Sequence, residues 1–358
     1  MTGAPLEGGV LVVGTGLLGT SLGLALRRAG VDVRLRDLDA DALAEAVRLG
    51  AGRPDEPGVA AGLAVVAVPP AGTAATVADV LDQGLAEYAT DVASVKVLPA
   101  EQVRSLATDP GRYVGGHPMA GREMAGPGSA LVDLFEGRPW VLCPDESTDP
   151  HAVTRALAVA RLVGALPVTM PAADHDAAVA LVSHAPHLVA ALVAARLAAA
   201  PAHELRLAGP GVTDVTRVAA GDPALWTEIL AANAAAVSGV LVALRSDLDQ
   251  ALAALGSPSS GRERLAGLLR TGVDGRGRLP GKHGAPPTDY ATVTVVVGDR
   301  PGQLAALFAD AGRAGVNVED VRIEHSPGQP VGLVELDVRP GADVVLAAAL
   351  RDVGWSLR

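Results

Sequence analysis

Along the first third of the chain, short apolar runs alternate with longer stretches of helical spacing. Gly9 to Val13, Val31 to Leu35 and Leu63 to Val68 are strand-like, while Leu17 to Ala29 and Ala40 to Gly50 between them repeat with a helical period. Strands separated by helices of this length predict βαβ crossovers and a parallel sheet with helices on both faces. Asp91 to Val95, Tyr113 to Gly116 and Trp140 to Cys143 extend the series as further strands. The pattern therefore predicts one doubly wound α/β domain of Rossmann type over residues 1–170.

From Ala172 the strand-type punctuation stops. Long Ala/Leu/Val-rich stretches run from His175 to Ala200, Ala224 to Leu244 and Ser246 to Leu255. Helices that are apolar nearly all round must be buried in a bundle or a subunit interface. Residues 171–256 are accordingly expected to form an all-helical dimerisation domain, and the chain a homodimer. Over residues 257–289 the composition turns to Gly, Pro, Ser and Arg, which reads as a linker enclosing one short helix, Arg262 to Leu269. After it, Ala291 to Val297, Gly302 to Ala314, Val316 to Glu324, Gly332 to Val338 and Ala342 to Val353 follow a β-α-β-β-α order. That order predicts a small α+β domain over residues 290–358.

Composition narrows the function classes. Lys and Arg total 29 against 40 Asp and Glu, a balance of −11, which argues against an electrostatic binder of nucleic acid or anionic membranes. Charged residues are 19% and hydrophobic ones 49%, a globular composition, and aromatics are only 2%, so Ala, Val and Leu must build the cores. The lone Cys143 can form neither an internal disulfide nor a multi-thiolate metal site. The N-terminus lacks a basic region followed by an apolar one, so no signal peptide is expected. The most apolar stretch, Leu188 to Ala200, falls short of the ~20 residues of a membrane span. A soluble, cytoplasmic protein is expected.

Gly14-Thr15-Gly16-Leu17-Leu18-Gly19 follows the first apolar strand and opens the first helix. Glycine serves there for a tight turn, for backbone approach to a pyrophosphate and for close helix–strand packing, and the helix N-terminus attracts the phosphate charge. The motif alone is weak, but Asp37 closes the second strand about 20 residues later, where a carboxylate would hold ribose hydroxyls. Asp37 favours NAD over NADP by repelling a 2′-phosphate, a preference tempered by Arg34 and Arg36 nearby. Val68 and Pro69, at the carboxyl end of the third strand, complete the cofactor-binding candidates Gly14, Gly16, Leu17, Leu18, Gly19 and Asp37.

Two further segments sit at strand ends, where ligands lie in open α/β sheets. Asp91-Val92-Ala93-Ser94-Val95-Lys96 and Gly115-Gly116-His117-Pro118-Met119-Ala120-Gly121 place Ser94 and His117 as candidates to face one nicotinamide. An imidazole with an ordinary pKa near 6.5 can take a proton at neutral pH. A histidine after Gly-Gly can equally be a turn residue.

Taken together, Gly-Thr-Gly-Leu-Leu-Gly-Thr-Ser-Leu-Gly, Asp-Val-Ala-Ser-Val-Lys and Gly-Gly-His-Pro-Met-Ala-Gly-Arg-Glu resemble the prephenate/arogenate dehydrogenases of tyrosine biosynthesis. The later Ser-His-Ala-Pro-His and the stretch from Asp214 through Arg217 to Trp226 strengthen the resemblance, which spans the first two domains. The C-terminal segment, with Asp299-Arg300-Pro301-Gly302-Gln303-Leu304 and Gly315-Val316-Asn317-Val318, is similar to an ACT domain, a module that binds amino-acid effectors.

The resemblance implies NAD-dependent oxidative decarboxylation of prephenate, with His117 as general base and Ser94 hydrogen-bonding either His117 or the substrate hydroxyl. It places Arg217 on a substrate carboxylate, for which a guanidinium fork is suited. It further puts Asp214, Glu123, His184, His187 and Trp226 around the substrate. His184 and His187 would share a helix face were it not for Pro186, which reads as a helix start; with no third ligand in reach, no metal is expected. Gly302 and Asn317 resemble effector positions, with tyrosine the expected effector.

Arogenate differs from prephenate only in carrying an amino group in place of a keto group, so arogenate dehydrogenase is the nearest rival, and an amino-deoxyprephenate dehydrogenase would use the same site. A non-catalytic amino-acid sensor is disfavoured by the intact Ser94, His117 and Arg217. A β-hydroxyacid dehydrogenase would need a lysine in the second domain, and His175 to Leu255 contains none.

Overall fold

A computed structural model describes residues 6–56, 58–121, 124–257, 259–279, 289–325 and 331–358. The chain forms two compact units, Met1–Ser246 and Asp247–Arg358.

The first unit opens with β1 (Val10–Val13), α1 (Leu17–Arg28), β2 (Val33–Arg36), α2 (Ala40–Arg48), β3 (Arg53–Pro54), β4 (Ala61–Val66), α3 (Pro70–Asp82), β5 (Ala86–Asp91), α4 (Val97–Leu106), β6 (Tyr113–Pro118), β7 (Pro139–Cys143), α5 (Pro150–Leu162) and β8 (Leu166–Thr169). They build an eight-stranded sheet in the order β3-β2-β1-β4-β5-β6-β7-β8. The first six strands run parallel, and β7 reverses against β6 before pairing parallel with β8. Every residue of β1 and β4 is buried, as strands covered by helices on both faces must be. The chain leaves β1 towards β2 on one side and returns through β4 on the other, so the crevice at this reversal opens beside the carboxyl end of β1.

The strand expected at Asp91 to Val95 lies earlier. Parallel register against β4, from Ala61 with Ala86 to Val66 with Asp91, ends β5 at Asp91, and Val92 to Lys96 form the connection into α4. Glu87 and Thr90 broke the apolar run that would have marked it.

The helical segment comprises α6 (Ala172–Val179), a π-helical turn at Ala180–His184, α7 (Ala185–Leu197), α8 (Ala202–Leu205), α9 (Pro210–Thr216), a 3-10 turn at Arg217–Ala220, α10 (Pro223–Ala232) and α11 (Ala234–Leu255). Pro186 does not start a separate helix: the wide π turn before it accommodates a residue without an N–H, and helix continues from Ala172 to Leu197. These 26 residues are long and apolar enough to cross a membrane by length and composition, longer than the expected Leu188 to Ala200 stretch. They carry the buried polar side chains His175, Asp176, His184 and His187, which are turned into the protein. The expected helix Ala224 to Leu244 is broken at Asn233, where α10 and α11 meet at 94°, and α11 runs on through Ser246 without interruption.

In the second unit α12 (Gly261–Gly277) is a 17-residue helix where only Arg262 to Leu269 was expected. Arg262, Glu263, Arg264, Leu265 and Leu268 to Arg270 are strong helix formers, and their sum outweighs the glycines scattered through the run. It is followed by β9 (Ala291–Gly298), α13 (Gln303–Arg313), β10 (Val318–His325), β11 (Val331–Val338), α14 (Ala342–Asp352) and the short β12 (Ser356–Leu357). The strands form an antiparallel sheet in the order β10-β11-β9-β12, with Val293, Val295, Val297, Leu336 and Val338 packed against Leu307, Leu346 and Leu350 of the two helices.

Candidate active site

The turn after β1 is shaped for close approach. Gly14 takes a φ of +99°, and a Cβ on it would strike the Ala67 carbonyl and crowd Val68. A Cβ on Gly19 would collide with the Gly14 carbonyl oxygen, whereas one on Gly16 would meet nothing within 4 Å. The space beside Gly16 is thus open, and α1 begins there with no side chain capping its N–H groups. Leu17 and Leu18 are half-buried, and Pro69 leads into α3.

Asp37 lies just beyond β2 and folds back onto this turn. Its Oδ2 accepts the Thr15 N–H at 2.5 Å and the Thr15 hydroxyl at 2.7 Å, and its Oδ1 accepts the Asp39 N–H at 2.9 Å. Burial opposes its ionisation, but these donors outweigh burial and hold the carboxyl below its usual range. The two arginines that tempered the NAD preference are otherwise engaged: Arg34 is buried, 3.2 Å from Asp55 and donating to the Val59 carbonyl, and Arg36 lies 3.7 Å from Asp55. A dinucleotide with free ribose hydroxyls fits this cradle.

His117 is the fifth residue of β6, paired with Val141 across the antiparallel step. A buried ion pair supports the strand just before it. Lys96 and Asp91 are both fully buried, bonded to each other; Lys96 Nζ also donates to the Gly116 carbonyl at 2.6 Å, and Asp91 accepts the Gly116 N–H at 2.8 Å and the Tyr113 hydroxyl at 3.1 Å. Burial raises the Asp91 carboxyl in spite of Lys96. Burial first, then the charges of Lys96, His175 and His184, push His117 well below the ordinary imidazole range.

The His117 ring meets a partner that the sequence motifs did not single out. His117 Nδ1 lies 2.8 Å from His175 Nε2, and His175 Nδ1 lies 2.7 Å from Asp176 Oδ1. Asp176 also accepts the N–H groups of Lys96 at 2.8 Å and Val97 at 2.9 Å, capping α4 from α6. Burial opposes ionisation of Asp176, yet the His175 N–H and these amides hold its carboxyl below the usual range. Ser94 does not bond His117: its hydroxyl is buried and has no hydrogen-bond partner among the described residues.

His184, His187 and Trp226 come together. His187 stacks on Trp226 with centroids 3.5 Å apart, and His184 approaches the same ring edge-on at 6.2 Å, so the two histidines share a face despite Pro186. Asn233, at the 94° bend, donates through Nδ2 to the Asp176 carbonyl at 2.8 Å and lies 3.1 Å from His184 Nδ1. Burial lowers His184 to about 4 and lowers His187 as well, leaving both rings neutral at neutral pH. Arg217 and Asp214, on the 3-10 turn and α9, are exposed and carry no ion pair among the described residues. Glu123 lies outside the described residues.

Asp91, Lys96, His175, Asp176 and Asn233 were missed by motif reading. Asp91 and Lys96 close the ends of a motif read only for its serine, and a His-Asp pair entering an otherwise apolar helix was the available signal for the others. Among the described residues no cluster of His, Cys, Asp and Glu could hold a metal ion. Cys143 is buried, and burial pushes its thiol up to about 12, an unreactive state. In the C-terminal unit an open groove is lined by Gly315, Asn317, Arg339 and Val345; Gly302, at a φ of +87° before α13, is not part of that lining.

Comparison with known proteins identifies the family. Residues 22–168 match the nucleotide-binding domain of prephenate dehydrogenase and residues 171–271 its dimerization domain. A probable prephenate dehydrogenase, NovF, of Streptomyces niveus is 42% identical over 96% of this chain and 98% of its own. The structure of the Aquifex aeolicus prephenate dehydrogenase in complex with hydroxyphenyl propionate and NAD+ superposes with a TM-score of 0.67 at 27% identity, covering 75% of this chain and 96% of that one. A Synechocystis arogenate dehydrogenase matches at 0.63 and 29%, over 75% and 98% of the two chains. The chain belongs to the prephenate dehydrogenase family.

Proposed function

We propose that the protein catalyses NAD-dependent oxidative decarboxylation of prephenate to 4-hydroxyphenylpyruvate, as a cytoplasmic homodimer. The observation that carries this reading is the half-buried His117, held neutral by its desolvated surroundings, at the carboxyl edge of the sheet that also bears the Gly14–Gly19 turn. Gly14, Gly16, Leu17, Leu18, Gly19, Val68 and Pro69 with the N-terminus of α1 would hold the dinucleotide, and Asp37 its adenosine ribose. NAD, when bound, supplies the acceptor for the hydride leaving the ring carbinol.

His117 takes the carbinol proton, and Ser94, with its hydroxyl unengaged, orients the same oxygen. Arg217, whose guanidinium has no ion pair among the described residues, meets a substrate carboxylate, with Asp214 three residues before it in the sequence. Neutral His184 and His187 with Trp226 line the ring pocket. Once the carboxylate leaves as CO2 the ring aromatises, and the oxygen recovers its proton as a phenol.

The C-terminal unit is read as an ACT-like module that binds tyrosine at the groove around Asn317; Gly302, at the other end of α13, is not drawn into that groove. The test is formation of reduced nicotinamide with purified protein, NAD, and prephenate, arogenate or an amino-substituted prephenate in parallel, each with and without tyrosine. Turnover of prephenate in preference to the others supports the reading, and turnover of arogenate alone replaces it. Suppression by tyrosine assigns the C-terminal unit.

A further inference from the structure

We propose that His117, His175 and Asp176 form a proton relay in which the positive charge generated during the reaction comes to rest on His175, between His117 and the Asp176 carboxylate. The inference rests on the reading of His117 as the base, and it assigns His175 and Asp176 as positioning residues that act through His117.

The hydrogen bonds determine where the protons sit. Asp176 is ionised and therefore only accepts; it already takes the Lys96 and Val97 amides, so the hydrogen on His175 must lie on Nδ1, 2.7 Å from Asp176 Oδ1. A neutral His175 then has a lone pair on Nε2, which faces His117 Nδ1 at 2.8 Å. His117 must fill that contact with an Nδ1–H, because two lone pairs facing at this distance repel. The bare lone pair of His117 is thereby on Nε2, the nitrogen left for substrate. The same logic applies to His184, whose Nδ1 accepts from Asn233 and whose hydrogen is on Nε2, so it does not compete for the His117 proton.

The relay also supplies a place for charge. A cation on His117 would be desolvated and would face Lys96, His175 and His184, with Asp91 already engaged by Lys96, Tyr113 and Gly116. A cation on His175 lies directly against the Asp176 carboxylate. In the forward step the carbinol O–H bond breaks and its proton bonds to His117 Nε2. The His117 Nδ1–H bond breaks as a new Nε2–H bond forms on His175, whose Nδ1–H stays on Asp176. With the dinucleotide bound, the carbinol C–H bond would break and its electron pair would leave with the hydrogen to that acceptor. The ring–carboxylate bond breaks, its electron pair enters the ring, and CO2 departs. The resulting phenolate retakes the proton from His117 Nε2 while His175 returns its Nε2 proton to His117 Nδ1, so the protein's own proton count is restored.

The first test needs no variant: ¹⁵N NMR of the histidine-labelled protein, with and without NAD. Protonated Nδ1 and bare Nε2 on His117, with protonated Nδ1 on His175, is the expected pattern; a hydrogen on His117 Nε2 overturns the relay. The second is His175→Gln, whose side-chain oxygen still accepts the His117 Nδ1–H but cannot take up a proton. The expected result is a kcat loss of roughly 10²-fold, the lower end of what a positioned proton-transfer group contributes, with an acid limb of kcat displaced to lower pH. KM for prephenate and Kd for NAD stay within about twofold. Asp176→Asn should displace the limb in the same direction; because Asp176 also caps α4, the Gln variant and the NMR pattern carry the decision. A reduced kcat with an unmoved limb would reduce His175 to a structural role. Full turnover in His117→Gln would remove the base and the relay together, whereas its loss beside a wild-type profile in His175→Gln would remove the relay alone.

Discussion

The imidazole of His187 lies flat on the indole of Trp226, centroids 3.5 Å apart and planes 12° from parallel. Gly221 lets the chain pass this stack: a Cβ there would stand 2.5 Å from Trp226 Nε1 and 2.9 Å from His187 Cε1. A ring pair of this kind is worth about 1 kcal/mol beyond its buried area. Trp226→Leu is therefore expected to raise KM for the cyclohexadiene substrate roughly fivefold with little change in kcat. Gly221→Ala should do the same by displacing both rings. Steady-state kinetics of the two variants check this, and a kcat loss without a KM change would contradict it.

Acid should weaken both catalysis and the fold. His184, lowered to about 4 by burial, and His117, also lowered well below its ordinary range, bind protons more readily once unfolded. Their contribution to stability is complete above the ordinary histidine value near 6.5 and is lost as pH falls from there through about 4. Thermal midpoints should fall across this window and be level just above it. His184→Gln should flatten the fall, which differential scanning calorimetry against pH would show.

Asp37 holds Thr15 by two hydrogen bonds, and in the proposed cofactor cradle it would also repel a 2′-phosphate. Hydrogen bonds to a charged group are worth about 1.5–3 kcal/mol. Asp37→Ser should thus weaken NAD roughly 10- to 100-fold and narrow the gap between NAD and NADP. Titration of both dinucleotides measures it; an unchanged ratio of the two affinities would take discrimination away from Asp37.

The glycines of the first turn should separate folding from cofactor binding. Gly19→Ala drives a methyl into the Gly14 carbonyl, and overpacking of this sort costs about 1–3 kcal/mol. Gly16→Ala meets no neighbour, so its thermal midpoint should match the parent while NAD affinity drops. Equal losses of stability in both variants would contradict the open space beside Gly16.

Lys96 and Asp91 form a fully buried pair. Removing one partner leaves an uncompensated charge, so Lys96→Met should destabilise by about 3–5 kcal/mol. Adding Asp91→Asn should restore part of that loss, as urea unfolding of the single and double variants will show.

The alternation of strands and helices up to Cys143 was legible because period and punctuation agree there, as was the β-α-β-β-α order of the C-terminal unit, whereas the short edge strands β3 and β8 were not anticipated. β5 was misplaced because Glu87 and Thr90 interrupt its apolar face, and its limits come from pairing with β4, a long-range fact. The bend at Asn233 and the π turn at Ala180–His184 leave no local mark among alanines and leucines. At the site, Asp37, Ser94 and His117 stood out by their places in motifs. His175 and Asp176 did not, since their meaning is a contact with a residue 58 positions away.

His117 and His175 stand on opposite sides of the junction between the family's nucleotide-binding and dimerization segments. The two segments are consequently not interchangeable parts. A chimera that joins this nucleotide-binding segment to a foreign helical partner inherits the cofactor cradle intact but leaves the ring orientation of its histidine to a stranger. Exchange of whole modules is thereby penalised at one hydrogen bond.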